Sequence, residues 1–181
     1  MLAVYDLPGW PWQPDKCPAD DHFIDWLNYE VINGEIDGPI FHMGTGLHHA
    51  VGMECVFLGL GCIGLTASEE EYNSLPDTNE RGGKGHYAIV LGNLYKLDAL
   101  RVEYFQIMTL FHLGELVELF GDIDYEAVDA VMSLVRPSGL VFFYTGSSAW
   151  DRASAYVGSC VEREILQPVG KHLTLEIYRK L

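Results

Sequence analysis

The chain has 181 residues, 49% of them hydrophobic and 12% aromatic, enough for one domain with one core and too apolar for a disordered chain. Against 26 acidic residues stand only 11 basic ones, scattered, and the net charge of −15 argues against nucleic acid or an anionic membrane as partner. Cys17, Cys55, Cys62 and Cys160 show neither CxxC nor zinc spacing, and no leader or membrane-length apolar run is evident, so free thiols and a cytoplasmic location are expected.

Residues 1–18 contain Pro8, Pro11, Pro14 and Pro18 with Trp10 and Trp12, and read as an irregular arm. From 20 to 33 the residues Phe23, Ile24, Trp26, Leu27, Val31 and Ile32 fall on one helical face, with Asp20 or Asp21 as N-cap and Gly34 as the stop. Arm and helix together predict an N-terminal unit, 1–35, packed on a main domain, 36–181. After the turn Asp37-Gly38-Pro39, Ile40–Met43 reads as strand one, and it stops at Gly44-Thr45-Gly46 before a helix over 48–55 that Gly52 weakens. A strand that ends in Gly-x-Gly and passes into a helix is how an α/β protein lets a nucleotide-sized ligand approach bare backbone. The third glycine of the dinucleotide fingerprint is missing, since His48 stands there.

Strand two is expected over 62–67. The helix after it begins at Ser68, a favoured N-cap, with Glu71 at the capping-box position. Residues 76–86 read as an exposed loop, whose Gly82-Gly83-Lys84-Gly85 lacks phosphate-loop spacing. Strands follow over 87–91 and 105–111, then an amphipathic helix over 125–135. The turn Pro137-Ser138-Gly139 leads to strand five over 140–144. Two alternating runs, 161–166 and 173–178, joined by Gln167-Pro168-Val169-Gly170-Lys171, read as a hairpin. The sum is an α/β fold: a doubly wound, mostly parallel seven-stranded sheet with helices on both faces and a C-terminal antiparallel hairpin.

In this order the motifs resemble those of the class I, Rossmann-like S-adenosylmethionine-dependent methyltransferases, from about Ile36 to Lys180. His42-Met43-Gly44-Thr45-Gly46 stands at acid-x-Gly-x-Gly, the turn that receives the methionine part of the cofactor. Gly64-Leu65-Thr66-Ala67-Ser68 resembles the ribose-contacting strand end of cyclopropane-synthase-like members. Gly92-Asn93-Leu94 takes the adenine position, 105–112 the strand that ends at the reaction site, and Leu134-Val135-Arg136-Pro137-Ser138-Gly139 the turn before strand five. Where the pattern has acids this chain has His42, Thr66, Asn93 and Gln106, four changes that take negative charge from the site, and where it has a third glycine this chain has His48. The resemblance implies S-adenosylmethionine as cofactor, lined by His42, Gly44, Thr45, Gly46, Thr66, Ala67, Ser68, Asn93, Leu94 and Thr109. It implies a small-molecule acceptor in a pocket completed by the N-terminal arm or by the second subunit of a homodimer. The alternative is a non-catalytic member of the fold, serving as a binding or assembly protein.

Phe41-His42-Met43-Gly44 and Phe111-His112-Leu113-Gly114 are near-copies at the ends of strands one and four. In the 3-2-1-4-5 strand order that the resemblance implies, those strands are neighbours, and the two imidazoles lie within roughly 5–10 Å of one another, given an inter-strand spacing near 4.8 Å. Three readings stay open: structural histidines, His112 as general base or acid on bound substrate, and a metal held by His42, His112, one of His48 or His49, and Glu115. No HExxH-type spacing supports the metal, and His112 is the catalytic candidate. Ser147 lacks a GxSxG context, and the stretch 144–150 reads as a helix-capping turn or the lining of an acceptor pocket.

Overall fold

In the computed structural model, which describes residues 17–66, 68–75, 84–92, 102–113 and 125–181, a single sheet separates two helical layers. Its strands are β1 (Ile40–Met43), β2 (Gly61–Thr66), β3 (His86–Leu91), β4 (Phe105–Leu110), β5 (Val135–Tyr144), β6 (Leu166–His172) and β7 (Leu175–Lys180). They lie in the order β3-β2-β1-β4-β5-β7-β6. The first five run parallel; β7 is antiparallel to both β5 and β6. The chain leaves β1 for β2 on one side and later returns to β4 on the other, which makes the carboxyl end of β1 a topological switch point.

Side-chain alternation along β1 divides the core. Ile40 faces the layer of α1 (Pro18–Ile32) and α2 (Ala50–Leu58), where Phe23, Leu27, Val51 and Val56 pack with Ile107, Phe111 and Phe142. Phe41 faces the opposite layer, of α4 (Tyr125–Met132) and α5 (Trp150–Glu162), with Phe105, Met108, Val131 and Val157. A short α3 (Glu69–Asn73) follows β2. The α1 helix is seated by aromatic rings: Phe23 meets Phe142 edge-on at 5.1 Å and Trp26 meets it at 4.5 Å. Burying each such ring contributes roughly 1.5–3 kcal/mol, so Phe23→Ala would weaken the seating of the helix.

Several boundaries differ from the sequence expectation, each for a local reason. Pro18 occupies the first helical position of α1, so Cys17 is the N-cap and Asp20 and Asp21 lie in the first turn. The α2 helix begins at Ala50 because residues 46–48 form a turn and His49 is left-handed, φ 48°. Gly52 is required within it: any Cβ there would enter the Tyr87 ring. Pro137-Ser138-Gly139 lies inside β5 as an irregularity, with Ser138 at φ 65° and a register shift against β4. The hairpin is displaced along the chain. Val161 belongs to α5, the expected turn 167–171 lies in β6, and the reversal falls at Leu173-Thr174, with Leu173 at φ 52°. Because β6 is the outermost strand, Pro168 fits there without an N–H to donate. No disulfide joins the four cysteines, all of which lie among the described residues. Among the described residues no helix is long and apolar enough to cross a membrane.

Candidate functional site

The sequence forms its site at the carboxyl edge, where β1 ends between β2 and β4. Gly44 turns away at φ 81° and donates its N–H to the Leu65 carbonyl at 2.9 Å, while Gly46 follows at φ 60°. Their missing side chains serve different ends. A Cβ on Gly44 would begin 2.5 Å from Cδ2 of His112, whereas no described heavy atom lies within 4 Å of a Cβ on Gly46. His112 thus covers the first glycine and the second is left bare, as a close-approaching ligand requires.

On the β2 side a polar network holds the turn. Thr45 and Thr66, both buried, donate their hydroxyls to the same Glu71 oxygen, Oε2, at 3.0 and 2.7 Å. The Ser68 N–H donates to Thr66 Oγ1 at 3.0 Å, and Glu71 N–H to Ser68 Oγ at 3.2 Å. Ser68 is therefore the N-cap foreseen for α3, but the capping box is only half made. With the Ser68 N–H satisfied by Thr66, the Glu71 carboxylate turns inward and is 3% exposed. Glu71, which the sequence offers both as the capping-box residue of a helix start and as a replacement for the ribose acid, is thereby part of the site.

The histidines separate into distinct roles. His49 is buried and engaged at both nitrogens, Nδ1 with the Tyr87 hydroxyl at 3.0 Å and Nε2 with Ser74 Oγ at 2.9 Å, bracing α2 against β3 and α3. Burial holds its pKa below the usual imidazole value. His48, next to it, is exposed. His42 is 1% exposed, with Nδ1 bonded to Thr109 Oγ1 at 2.6 Å across the β1–β4 register. Desolvation, with smaller contributions from His112 and His49, lowers its pKa to about 3, so the ring is neutral. His42 and His112 do come to the same edge of neighbouring strands, and His112 is half-buried.

Beneath α1 the accounting of polar groups is incomplete. Among the described residues His42 Nε2 has no hydrogen-bond partner, and neither has Oδ1 of Asp20, which faces it at 4.0 Å. Burial raises the Asp20 carboxyl to about 7, with repulsion from Asp21 and Glu71 adding to the effect. Asp20, foreseen only as a helix cap, is thereby a member of the edge cluster.

One expectation needs relocation. Gln106 does not belong to this edge: it opens β4 at the amino end, where Oε1 accepts from the N–H groups of Asp37 and Gly38 and Nε2 donates to the Glu35 carbonyl at 3.3 Å. It fastens the entry to β1, and its lack of charge says nothing of the ligand. Thr109 is fully buried with its hydroxyl committed to His42. Ala67, Asn93, Leu94 and Glu115 lie outside the described residues. Among those described, no three His, Cys, Asp or Glu side chains are grouped to hold a metal. Ser147 accepts from the Ala149 N–H at 3.0 Å in the turn before α5.

No family model matches the chain, and no curated protein matches it in sequence. Solved structures do match in shape. A SAM-dependent methyltransferase from Aquifex aeolicus superposes with TM-score 0.64 at 12% identity, covering 93% of this chain and 98% of that one. The O-methyltransferase from Bacillus cereus, in complex with S-adenosylhomocysteine, gives 0.63 at 14% identity over 94% and 84% of the two chains. The N-methyltransferase NodS from Bradyrhizobium japonicum WM9, also in complex with S-adenosylhomocysteine, gives 0.60 at 13% over 94% and 91%. Strand order, the closing antiparallel pair and these superpositions agree: the chain has the fold of the class I S-adenosylmethionine-dependent methyltransferases.

Proposed function

We propose that this chain is an S-adenosylmethionine-dependent methyltransferase acting on a small molecule, with the cofactor seated over Gly44-Thr45-Gly46. The observation that carries the reading is the turn itself: a bare Gly46 at φ 60°, at the switch point of a doubly wound sheet, with backbone free for close approach. Two similar solved structures hold S-adenosylhomocysteine, which supports the same ligand class here. The residues fit that group. Gly44, Thr45, Gly46, Thr66 and Ser68 gather at the carboxyl edge through the Glu71 network, Ala67, Asn93 and Leu94 join them by resemblance, and the buried His42–Thr109 hydrogen bond ties β1 to β4 beside them.

The cofactor supplies a methyl group already activated by its sulfonium, so the protein's share is alignment and removal of a proton. His112, half-buried against Gly44, is suited to take that proton from the acceptor. Calorimetry or thermal melting with S-adenosylmethionine and S-adenosylhomocysteine tests the reading. A ligand at a hundred times its Kd raises folding stability by about 2.7 kcal/mol, and the absence of any shift at millimolar ligand overturns it. His42 and Thr66 at positions of acids favour one other reading, a binding or assembly protein of the same fold; ligand binding without methyl transfer would assign that role.

A further inference from the structure

We infer that Asp20, on the first turn of α1, is the residue that recognises the positive charge of the bound ligand, in the gap between α1 and the end of β1. This rests on the cofactor reading above and adds to it a residue that lies outside every motif of the resemblance.

Among the described residues Asp20 Oδ1 and His42 Nε2, 4.0 Å apart, have no hydrogen-bond partner; both atoms are shielded, while the Asp20 side chain as a whole remains 15% exposed and so within reach of a ligand. That separation is too long for a direct hydrogen bond. Both sides are fixed. The His42 ring is pinned by Thr109 at 2.6 Å and by the edge contact with Phe111, whose centroid lies 5.9 Å away. The α1 helix is pinned by the Phe23 and Trp26 packing, by His22 to Thr174 at 2.7 Å, and by Asn28 to Glu54 at 2.9 Å. A shift of either side toward the other disrupts these contacts, so a third group completes the pair.

The charge around the gap decides what that group is. Facing Asp20 are Asp21 on its own helix, Glu71 from α3 and neutral His42 from β1, with His112 and His49 reaching the site through His42. Among the described residues no Lys or Arg bonds to Asp20. A mostly shielded carboxylate whose described neighbours are acids and neutral rings is satisfied by a proton or by a cation. Near neutral pH the proton is held weakly enough, with the carboxyl at about 7, for an organic cation to displace it. The ligand class that brings such a cation to a glycine turn is an adenosyl amino acid, through its ammonium or its sulfonium.

The test is calorimetry at pH 6.5 in two buffers of different ionisation enthalpy, on wild type and Asp20→Asn, with S-adenosylmethionine and S-adenosylhomocysteine. Wild type is expected to release up to one proton on binding, and Asp20→Asn none. At pH 8 the variant is expected to bind about ten- to a hundredfold more weakly, and at pH 5.5, where Asp20 is protonated, with little change. Release with both ligands assigns the ammonium and release with S-adenosylmethionine alone the sulfonium, and either supports the inference. Binding without proton release, or release unchanged in Asp20→Asn, overturns the Asp20 assignment and leaves the cofactor reading standing. Binding of neither ligand overturns both.

Discussion

The two flanks of the glycine turn are built on opposite terms. Toward β2, the Thr45, Thr66, Ser68 and Glu71 groups named above close on one another, and His49 spends both nitrogens on Tyr87 and Ser74. Toward α1, Asp20 and His42 face each other with an atom apiece left over. A satisfied network rigidifies, whereas an unsatisfied one stores free energy that a partner can release. The contrast teaches that the β2 flank holds the turn in shape and the α1 flank is receptive.

Substitutions can break or sharpen that contrast, and the largest effect is expected at the reaction edge. His112→Ala should lower the methyl-transfer rate by about 10²–10⁴-fold with little loss of stability; a rate within a few-fold of wild type would remove His112 from the mechanism. Next, on the receptive flank, Asp20→Asn should stabilise the folded protein at pH 8 by on the order of 3 kcal/mol, seen in urea midpoints. The sign follows from the proton balance. Because the folded state holds the Asp20 proton up to about 7 rather than 3.8, its contribution is full below 3.8 and lost as pH rises through 7. His42, lowered from 6.5 to about 3, contributes in the opposite sense, losing stability as pH falls below 6.5. The two slopes oppose each other between about pH 4 and 6.5. Asp20→Asn should therefore unmask a stability that rises with pH across that window, and a flat profile would contradict the pairing.

On the satisfied flank, Glu71→Gln should cost about 1–3 kcal/mol, since an amide accepts the two threonine hydroxyls less strongly than a carboxylate. A melting temperature unchanged by Glu71→Gln would mean that the network is not structural. The smallest effect belongs to a neighbouring pair: His48→Ala, on an exposed ring, should stay within about 0.5 kcal/mol, against about 1–3 for His49→Ala. Equal melting temperatures for the two variants would erase the distinction.

Local signals carried the architecture well. The apolar run Ile40–Met43 broken by glycines, the Ser68 cap and the order of strands are short-range patterns, and the structure follows them. The tail misled because Pro168 and Gly170 imitate a turn, and only the outermost place of that stretch in the sheet makes it an edge strand. Gln106 was grouped with the ligand site because position within a motif says nothing of which end of the strand a residue occupies. Asp20 reaches His42 only through the packing of α1 on the sheet, a tertiary fact with no periodicity to betray it.

That outer edge strand has a consequence for how molecules meet. Its proline, the slipped register beside Pro168 and the exposed Lys171 together blunt the rim. Pairing of a second copy along it is thereby disfavoured, so growth of the sheet from one molecule into the next is discouraged on that side.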